Sequence, residues 1–333
     1  MIKQLGLDLG SSNTRIVTRE NGIVLRAPTA AALNKKTGKT IALGSEAKRM
    51  LGKTPTEIEA YRPVRAGVIA EPEAAVRMLK RYFAKLEAVS TFHRPDVIVS
   101  VPCNINEVER RALEDTVYDA GARQVYIIES PIAAALGAGL RIGGPKGRII
   151  VNIGGGCSEA AVLSMGGAVV SDSLRIGSSD LDRAIVQHIR KKYEILTGEL
   201  TAESIKINIG TALHGVERGK FSVAGRDLRD GLTGTVTLTS EDIREAIMPR
   251  LEQITAMIRT TLEETPPELA SDIYDNGVLL TGGGTILHGF SDYLSRALGI
   301  KAVIAKSPED CVCRGIGWCI GNDAAERYIK YRA

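Results

Sequence analysis

The fold is decided by the stretch "GRIIVNIGGGCSEAAVLSMGGAVVSDS", residues 147–173, because residues 5–27, "LGLDLGSSNTRIVTRENGIVLRA", follow the same plan. Each stretch reads as a strand, a glycine turn, a strand, a second glycine turn and a third strand. When the two are aligned, Asn152 falls on Asp8, an offset of 144 residues. A repeat of this length and regularity predicts a tandem duplication of one α/β unit.

Helices and strands alternate after each of these stretches. Residues 71–89 carry an amphipathic helical stripe, and the apolar run at residues 96–102 is typical of a buried strand. The segment "SPIAAALGAGL" predicts a helix with Ser130 at its N-cap and Pro131 at its first position. We expect further helices at Asp180–Ile195, Ala202–Ile209 and Ser240–Glu264.

The composition is that of an ordinary globular protein of two domains. Of 333 residues, 44% are hydrophobic and 25% are charged, and the net charge is +4. Because the chain opens on strand-like sequence and holds no run of about 18 apolar residues, we expect neither a signal peptide nor a membrane span. Cys311, Cys313 and Cys319 lack the second pair of ligands that a zinc site needs, so buried thiols are the favoured interpretation. Mild basicity gives little support to a nucleic-acid partner.

Three small-residue turns are candidate phosphate or nucleoside cradles. They are residues 10–13, "GSSN", residues 154–158, "GGGCS", and residues 281–285, "TGGGT". In such turns, backbone N–H groups converge on one point and no side chain intrudes, so an anion can be held by the main chain. None of them fits the P-loop pattern or a dinucleotide-binding GxGxxG.

These residues resemble the actin/heat-shock-chaperone/sugar-kinase superfamily, and within it the MreB family of bacterial actins. The segments "LGLDLGSSNT", "ETPPELASDI" and "GVLLTGGGTIL" are similar to MreB segments in the same order. The resemblance implies an actin-like fold, with two duplicated RNase H-like α/β lobes around a nucleotide cleft and a smaller inserted subdomain in each lobe. The implied boundaries are 1–143 plus 308–333 for lobe I, with its subdomain at about 30–70, and 144–307 for lobe II, with its subdomain at about 180–240.

The resemblance also implies function. It indicates a protein that binds ATP or ADP with Mg²⁺ and forms homopolymeric filaments at the inner face of the cell membrane. Such filaments organise cell-wall synthesis and cell shape, so cell-wall elongation proteins and other MreB paralogues are candidate partners. The chain is then cytoplasmic and peripheral to the membrane.

The family pattern assigns roles residue by residue. Asp8 and Asn152 take the positions of water-mediated Mg²⁺ contacts, and Glu203 and Lys206 lie near the ribose and adenine. Glu203 and Lys206 are three residues apart, so one helix face can present both to one ligand. The nucleotide-binding set is Gly10, Ser11, Ser12, Asn13, Gly154, Gly155, Gly156, Cys157, Ser158, Glu159, Glu203, Lys206, Gly282, Gly283, Gly284 and Thr285.

Three positions depart from the family pattern. MreB has aspartate where this chain has Asn152, threonine where it has Cys157, and a glutamate that orients the attacking water where it has Ser130. Ser130 and Cys157 are therefore degenerate catalytic positions. The amide adds no negative charge, the serine is no base near neutral pH, and the thiol is a poor hydrogen-bond partner. Glu129 is adjacent but faces the other way along a strand. The sequence predicts nucleotide binding with slow or absent hydrolysis.

Two other interpretations stay open. One is a non-polymerising nucleotide-binding adaptor on the actin fold that serves a membrane assembly, and the other is a small-molecule kinase, which would need an acidic base in the cleft. For membrane contact, the loop "AVSTFHRPD" offers one large apolar residue, Phe92, and one aromatic side chain gives weak binding unless a filament presents many copies.

Overall fold

The computed structural model describes residues 2–90 and 93–331. Within these ranges the chain forms nineteen strands. The strands are β1 Gln4–Leu9, β2 Asn13–Thr18, β3 Gly22–Pro28, β4 Ala31–Asn34, β5 Thr40–Leu43, β6 Ile58–Tyr61, β7 Val64–Arg65, β8 Val68–Ile69, β9 Asp96–Val101, β10 Gln124–Glu129, β11 Arg148–Ile153, β12 Ser158–Ser164, β13 Gly167–Leu174, β14 Ile195–Leu196, β15 Lys220–Asp227, β16 Thr233–Thr239, β17 Val278–Thr281, β18 Ala302–Ile304 and β19 Lys330–Tyr331.

Ten α-helices lie in the same described ranges. None of them is both long enough and apolar enough to span a membrane. The helices are α1 Ser45–Met50, α2 Pro72–Lys85, α3 Glu107–Asp119, α4 Ser130–Gly137, α5 Ser178–Tyr193, α6 Glu199–Ile209, α7 Ser240–Glu263, α8 Pro267–Asn276, α9 Phe290–Leu298 and α10 Cys311–Cys319.

Two large mixed sheets repeat one topology. The first has the order β19-β10-β9-β1-β2-β3, and the second has the order β13-β12-β11-β17-β18. In the first sheet β1 is antiparallel to β2 and parallel to β9, and in the second β11 is antiparallel to β12 and parallel to β17. Asp8 and Asn152 hold matching positions near the ends of β1 and β11. The predicted duplication is therefore present in the strand order as well as in the sequence.

Small sheets flank each large one. Strands β4, β5 and β6 form a three-stranded sheet that packs on α1, and β14, β15 and β16 form another beside α5 and α6. Both lie at the mouth of the space between the large sheets, since Lys48 of α1 reaches Glu203 of α6. They fall within the ranges predicted for the inserted subdomains.

Helices α4 and α10 cross in backbone contact between the two large sheets. A Cβ atom at Gly137 would overlap the Cys311 carbonyl oxygen, and one at Gly315 would overlap the Ala133 carbonyl oxygen. Only glycine at both positions permits this approach. The three cysteines of α10, Cys311, Cys313 and Cys319, are buried in this core, as predicted for small packing side chains.

Three predicted helix starts are wrong by one to three residues. Helix α6 begins at Glu199 and not at Ala202. Helix α4 begins at Ser130, with Glu129 as its N-cap, because the Ser130 hydroxyl donates to the Val101 carbonyl (2.9 Å) and does not cap the helix. Helix α5 begins at Ser178 and not at Asp180, because the Asp180 carboxylate accepts from the Gly177 N–H (2.9 Å) and thereby stabilises the first turn.

Candidate nucleotide-binding cleft

A deep cleft separates the two large sheets and holds a cavity of about 670 Å³. This volume is in the usual range for a small-molecule site. Residues from both halves of the duplication line it. Of the predicted site, the cavity wall includes Asp8, Gly10, Ser11, Ser12, Asn13, Ser130, Asn152, Gly154, Gly155, Gly156, Cys157, Glu159, Glu203, Lys206, Gly282, Gly283 and Gly284.

The first two glycine-rich turns lie against each other on the wall of this cavity. A Cβ atom at Gly155 would overlap Ser12 Oγ, and one at Gly156 would overlap Ser11 Oγ. The first turn is also anchored by a residue outside both turns, since the Gly67 N–H donates to Ser11 Oγ (2.9 Å). Two duplicated turns thus bring main-chain N–H groups to one small volume, which suits a phosphate chain.

Two predicted contacts, Ser158 and Thr285, do not line the cavity. The Ser158 hydroxyl donates to the Ile176 carbonyl (2.7 Å), and the Thr285 hydroxyl donates to the Gly282 carbonyl (2.7 Å). Both side chains are fully buried. They stabilise the glycine turns from behind.

Asp8 lies at the base of the cleft with a partner on each carboxylate oxygen. Ser100 Oγ donates to Oδ1 (3.5 Å), and the Arg15 guanidinium lies 3.6 Å from Oδ2. Burial raises the pKa of Asp8, and the charge of Arg15 opposes that rise. Arg15 also lines the cavity and donates from Nε to Asp310 Oδ1 (3.1 Å).

Asn152 is held by hydrogen bonds on both sides of its amide. Its Nδ2 donates to Glu159 Oε2 (3.0 Å), and its Oδ1 accepts from the Thr281 hydroxyl (3.4 Å). The other oxygen of Glu159 accepts from the Cys103 N–H (2.9 Å). Burial raises the pKa of Glu159 to about 7, although the hydrogen bonds from Asn152 and Cys103 oppose the rise.

The degenerate catalytic positions, Ser130 and Cys157, also lie on the cavity wall. Ser130 is 8% exposed and its hydroxyl is committed to the Val101 carbonyl. Burial raises the pKa of the Cys157 thiol well above its ordinary value, so that the thiol stays protonated near neutral pH. Glu129 points out of the cleft, as expected from strand alternation, and accepts from Lys330 Nζ (2.9 Å).

Glu203 and Lys206 both face the cavity, but their ion-pair partners are other residues. Lys206 Nζ lies 2.7 Å from Asp182 Oδ1 and also donates to the Ser178 hydroxyl (2.7 Å). Glu203 pairs with Lys48 across the mouth of the cleft (2.7 Å). One helix face therefore presents both side chains to one space.

Sequence reasoning missed Arg15, Lys48 and Asp182 as members or neighbours of the site. A signal for Arg15 was present, because it is two residues after Asn13 on the same strand and so faces the same side. Lys48 and Asp182 gave no local signal, since their partners are distant in sequence. Phe92, the predicted membrane contact, lies outside the described residues.

Two mixed sheets of duplicated topology enclose a cleft, and glycine turns from both halves line its wall. This arrangement defines the actin-like class of proteins with a nucleotide cleft. The family model for MreB/Mbl protein matches residues 2–327. The chain belongs to the MreB/Mbl family. This confirms the resemblance found in the sequence and the prediction of an MreB-like actin homologue.

Curated relatives match along nearly the whole chain. Cell shape-determining protein Mbl of Bacillus subtilis (strain 168) is 40% identical over 320 residues, which are 96% of this chain and 96% of that protein. Cell shape-determining protein MreB of Escherichia coli (strain K12) is 42% identical over 319 residues, which are 94% of this chain and 92% of that protein.

Solved structures confirm the actin-like fold. MreB5 of Spiroplasma citri, 36% identical, superposes with a TM-score of 0.88 when bound to ADP and 0.89 when bound to AMPPNP, over 94% of each chain. The MamK double helical filament, at 19% identity and a TM-score of 0.80 over 96% of this chain and 98% of that chain, shares the fold.

Proposed function

We propose that this chain binds ATP or ADP in the cleft and assembles into homopolymeric cytoskeletal filaments. The observation that carries the proposal is the opposition of the two turns, in which Gly155 and Gly156 lie against Ser12 and Ser11 on the cavity wall. The structures of Spiroplasma citri MreB5 with ADP and AMPPNP support an adenine nucleotide. Membership of a family whose relatives are cell shape-determining proteins supports assembly.

Sedimentation and electron microscopy with ATP, with ADP and without nucleotide test this proposal. We expect protofilaments that depend on nucleotide. The second candidate, a nucleotide-binding adaptor that does not polymerise, predicts nucleotide binding with no filaments in any of the three conditions. Failure to bind either nucleotide would rule out both.

Hydrolysis of the bound nucleotide is proposed to be slow or absent. Ser130 has no carboxylate and its hydroxyl already donates to a carbonyl, while Cys157 presents a neutral thiol. Loss of water-positioning groups in phosphoryl transfer costs about 10²-fold or more in rate. The variant Ser130→Glu/Asn152→Asp/Cys157→Thr should release phosphate faster than the unmodified chain. Equal rates of phosphate release from the two proteins would contradict this part of the proposal.

Action at the membrane is a further part of the proposed function. We place the filament at the inner face of the cell membrane, with Phe92 as a weak contact repeated along the polymer, and with cell-wall elongation proteins and other MreB paralogues as partners. Co-sedimentation of filaments and of monomers with vesicles tests it. Filaments should bind and monomers should not, because only the filament has avidity. Phe92→Ser should reduce filament binding.

Lobe boundaries and the metal remain proposals as well. We place lobe I at residues 1–143 plus 308–333 and lobe II at 144–307; the pairing of β19 with β10 supports the return of the chain to lobe I.

Mg²⁺ is expected from the family resemblance. Its predicted contacts fit it poorly, because Asn152 is a neutral amide with hydrogen bonds on both sides and Asp8 already has a guanidinium beside it.

A further inference from the structure

Arg15 is a buried cation at the base of the cleft. Its side chain is 13% exposed and lies on β2, two residues beyond Asn13 of the first glycine-rich turn. Its Nη1 is 3.6 Å from Asp8 Oδ2, and its Nε is 3.1 Å from Asp310 Oδ1. The guanidinium therefore lies between the position predicted to contact Mg²⁺ and a second acid at the start of α10.

The second acid has another partner of its own. Arg26 donates to Asp310 from both Nε (3.3 Å) and Nη2 (2.8 Å), a two-bond contact that neutralises one carboxylate. Asp8, Asp310, Arg15 and Arg26 are two acids and two bases, so the group is neutral. The charge of Arg15 is thus the charge that balances Asp8.

The other polar groups next to Asp8 are already engaged by partners from the protein. Asn152 is neutral, and both oxygens of Glu159 accept hydrogen bonds from the protein. Glu309 also lines the cavity, but it lies beside Gly283 of the third glycine cluster. Mg²⁺ in nucleotide sites is held by one or two carboxylates together with the phosphates. Asp8 is already paired with a guanidinium, and both oxygens of Glu159 already accept hydrogen bonds from the protein, so neither carboxylate is free to meet that requirement.

We infer that Arg15, by balancing Asp8, offsets the negative charge that Mg²⁺ would otherwise offset at the phosphate end of the cleft, so that nucleotide binding depends only weakly on Mg²⁺. The inference rests on the proposed function, because it assumes that the nucleotide occupies this cavity. Guanidinium groups bind phosphate oxygens with charge-assisted hydrogen bonds in a fixed planar geometry, and they do so best where water is excluded. Arg15 meets these conditions because it is on the cavity wall and mostly buried.

The competing interpretation is that Arg15 acts only as a structural ion pair. Buried ion pairs are common without a ligand, and removal of one partner destabilises the fold. The two interpretations differ in what a change of Arg15 does to the metal dependence of binding. A structural role changes thermal stability and leaves that dependence as it is.

The experiment measures the affinity of monomeric protein for a fluorescent ADP analogue with excess Mg²⁺ and with EDTA. For the unmodified chain we expect the affinity to fall by less than about threefold in EDTA. For Arg15→Gln we expect a fall of more than about tenfold, because Asp8 then lacks a cation and only Mg²⁺ can provide one. Arg19→Gln is the matched control; Arg19 donates to the Gly321 carbonyl outside the cleft, and this variant should behave as the unmodified chain.

Several outcomes would overturn the inference. A fall of more than about tenfold in the affinity of the unmodified chain for the ADP analogue in EDTA would overturn it, and that measurement needs no variant. Equal losses in the unmodified chain and Arg15→Gln would do so too. If Arg15→Gln does not fold, Arg15→Lys keeps the charge without the planar fork, and it should stay within about threefold in EDTA while its overall affinity falls. Absence of binding with and without Mg²⁺ would instead refute the proposed nucleotide site itself.

Discussion

Replacement of Glu159 by glutamine should remove a specific part of the pH dependence of stability. Glu159 is 1% exposed at the base of the cleft, where one oxygen accepts from the Cys103 N–H and the other from Asn152 Nδ2. No cation pairs with it among the ion pairs of residues 2–90 and 93–331. Burial raises its pKa from an ordinary value of 4.5 to about 7.

The sign and size of the effect follow from these two pKa values. Below pH 4.5 the carboxyl is protonated in the folded and unfolded states, and its burial costs no ionisation energy. Between pH 4.5 and 7 the unfolded state loses the proton first, so the free energy of unfolding falls as the pH rises. Each pH unit contributes about 1.4 kcal/mol, which gives a loss of about 3 kcal/mol above pH 7.

Urea unfolding followed by circular dichroism, on nucleotide-free monomer at several pH values, measures this loss. The difference in unfolding free energy between Glu159→Gln and the unmodified chain should change by about 3 kcal/mol, in favour of the variant, from pH 4.5 to above pH 7. Glu57→Gln is the matched control at an exposed acid, and it should change stability by less than about 1 kcal/mol at every pH. A difference for Glu159→Gln that stays constant to within about 1 kcal/mol across this range would refute the reasoning.

Three further changes test the geometry of the cleft. Gly155→Ala places a Cβ atom on Ser12 Oγ, so the two turns must separate and the affinity for ADP should fall by at least about tenfold. An unchanged affinity in a titration would contradict the contact between the turns. Lys48→Met removes a partly exposed ion pair with Glu203 that is worth about 0–1 kcal/mol. Release of ADP, measured by stopped flow, should therefore accelerate by no more than about fivefold. A larger acceleration would mean that this pair does more than close the mouth of the cleft. Gly137→Ala should lower the free energy of unfolding by at least about 2 kcal/mol, because its Cβ atom meets the backbone of α10. An unchanged thermal midpoint would show that the crossing helices can move apart.

The duplicated architecture could be predicted from the sequence because its signals are local. Apolar runs with glycine turns at a fixed offset of 144 residues, Asp8 to Asn152, mark equivalent strands in both sheets. The same turns identified most of the cavity wall. The errors at the cavity came from side-chain direction: Ser158 and Glu159 alternate along β12, so only one of them can face the cleft, and it is Glu159.

Pairs between distant segments could not be predicted in this way. Arg15 and Asp310 are 295 residues apart in the sequence, and Lys48 and Glu203 are 155 apart. Their meeting depends on how the crossing of α4 and α10 and the small sheets place the two halves. The residue pattern within one segment does not indicate which distant segment it contacts, so the ion pairs of the cleft could be assigned only from the three-dimensional structure.

That charge balance links the departures from the family pattern to one another. An aspartate in place of Asn152 would put a second carboxylate about 3.0 Å from Glu159, and two such groups cannot both stay ionised without a proton or a metal between them. The amide replaces this repulsion with a hydrogen bond, and Arg15 does the equivalent for Asp8. A cleft in which Asp8 already has a guanidinium beside it, and in which Asn152 is a neutral amide, has less need of a metal to hold phosphates. It also has fewer free groups with which to activate water, since Ser130 and Cys157 offer neither charge nor a base. The proposed weak dependence on Mg²⁺ and the proposed slow hydrolysis are therefore two expected consequences of one arrangement, in which side chains of the protein already partner the polar groups at the base of the cleft.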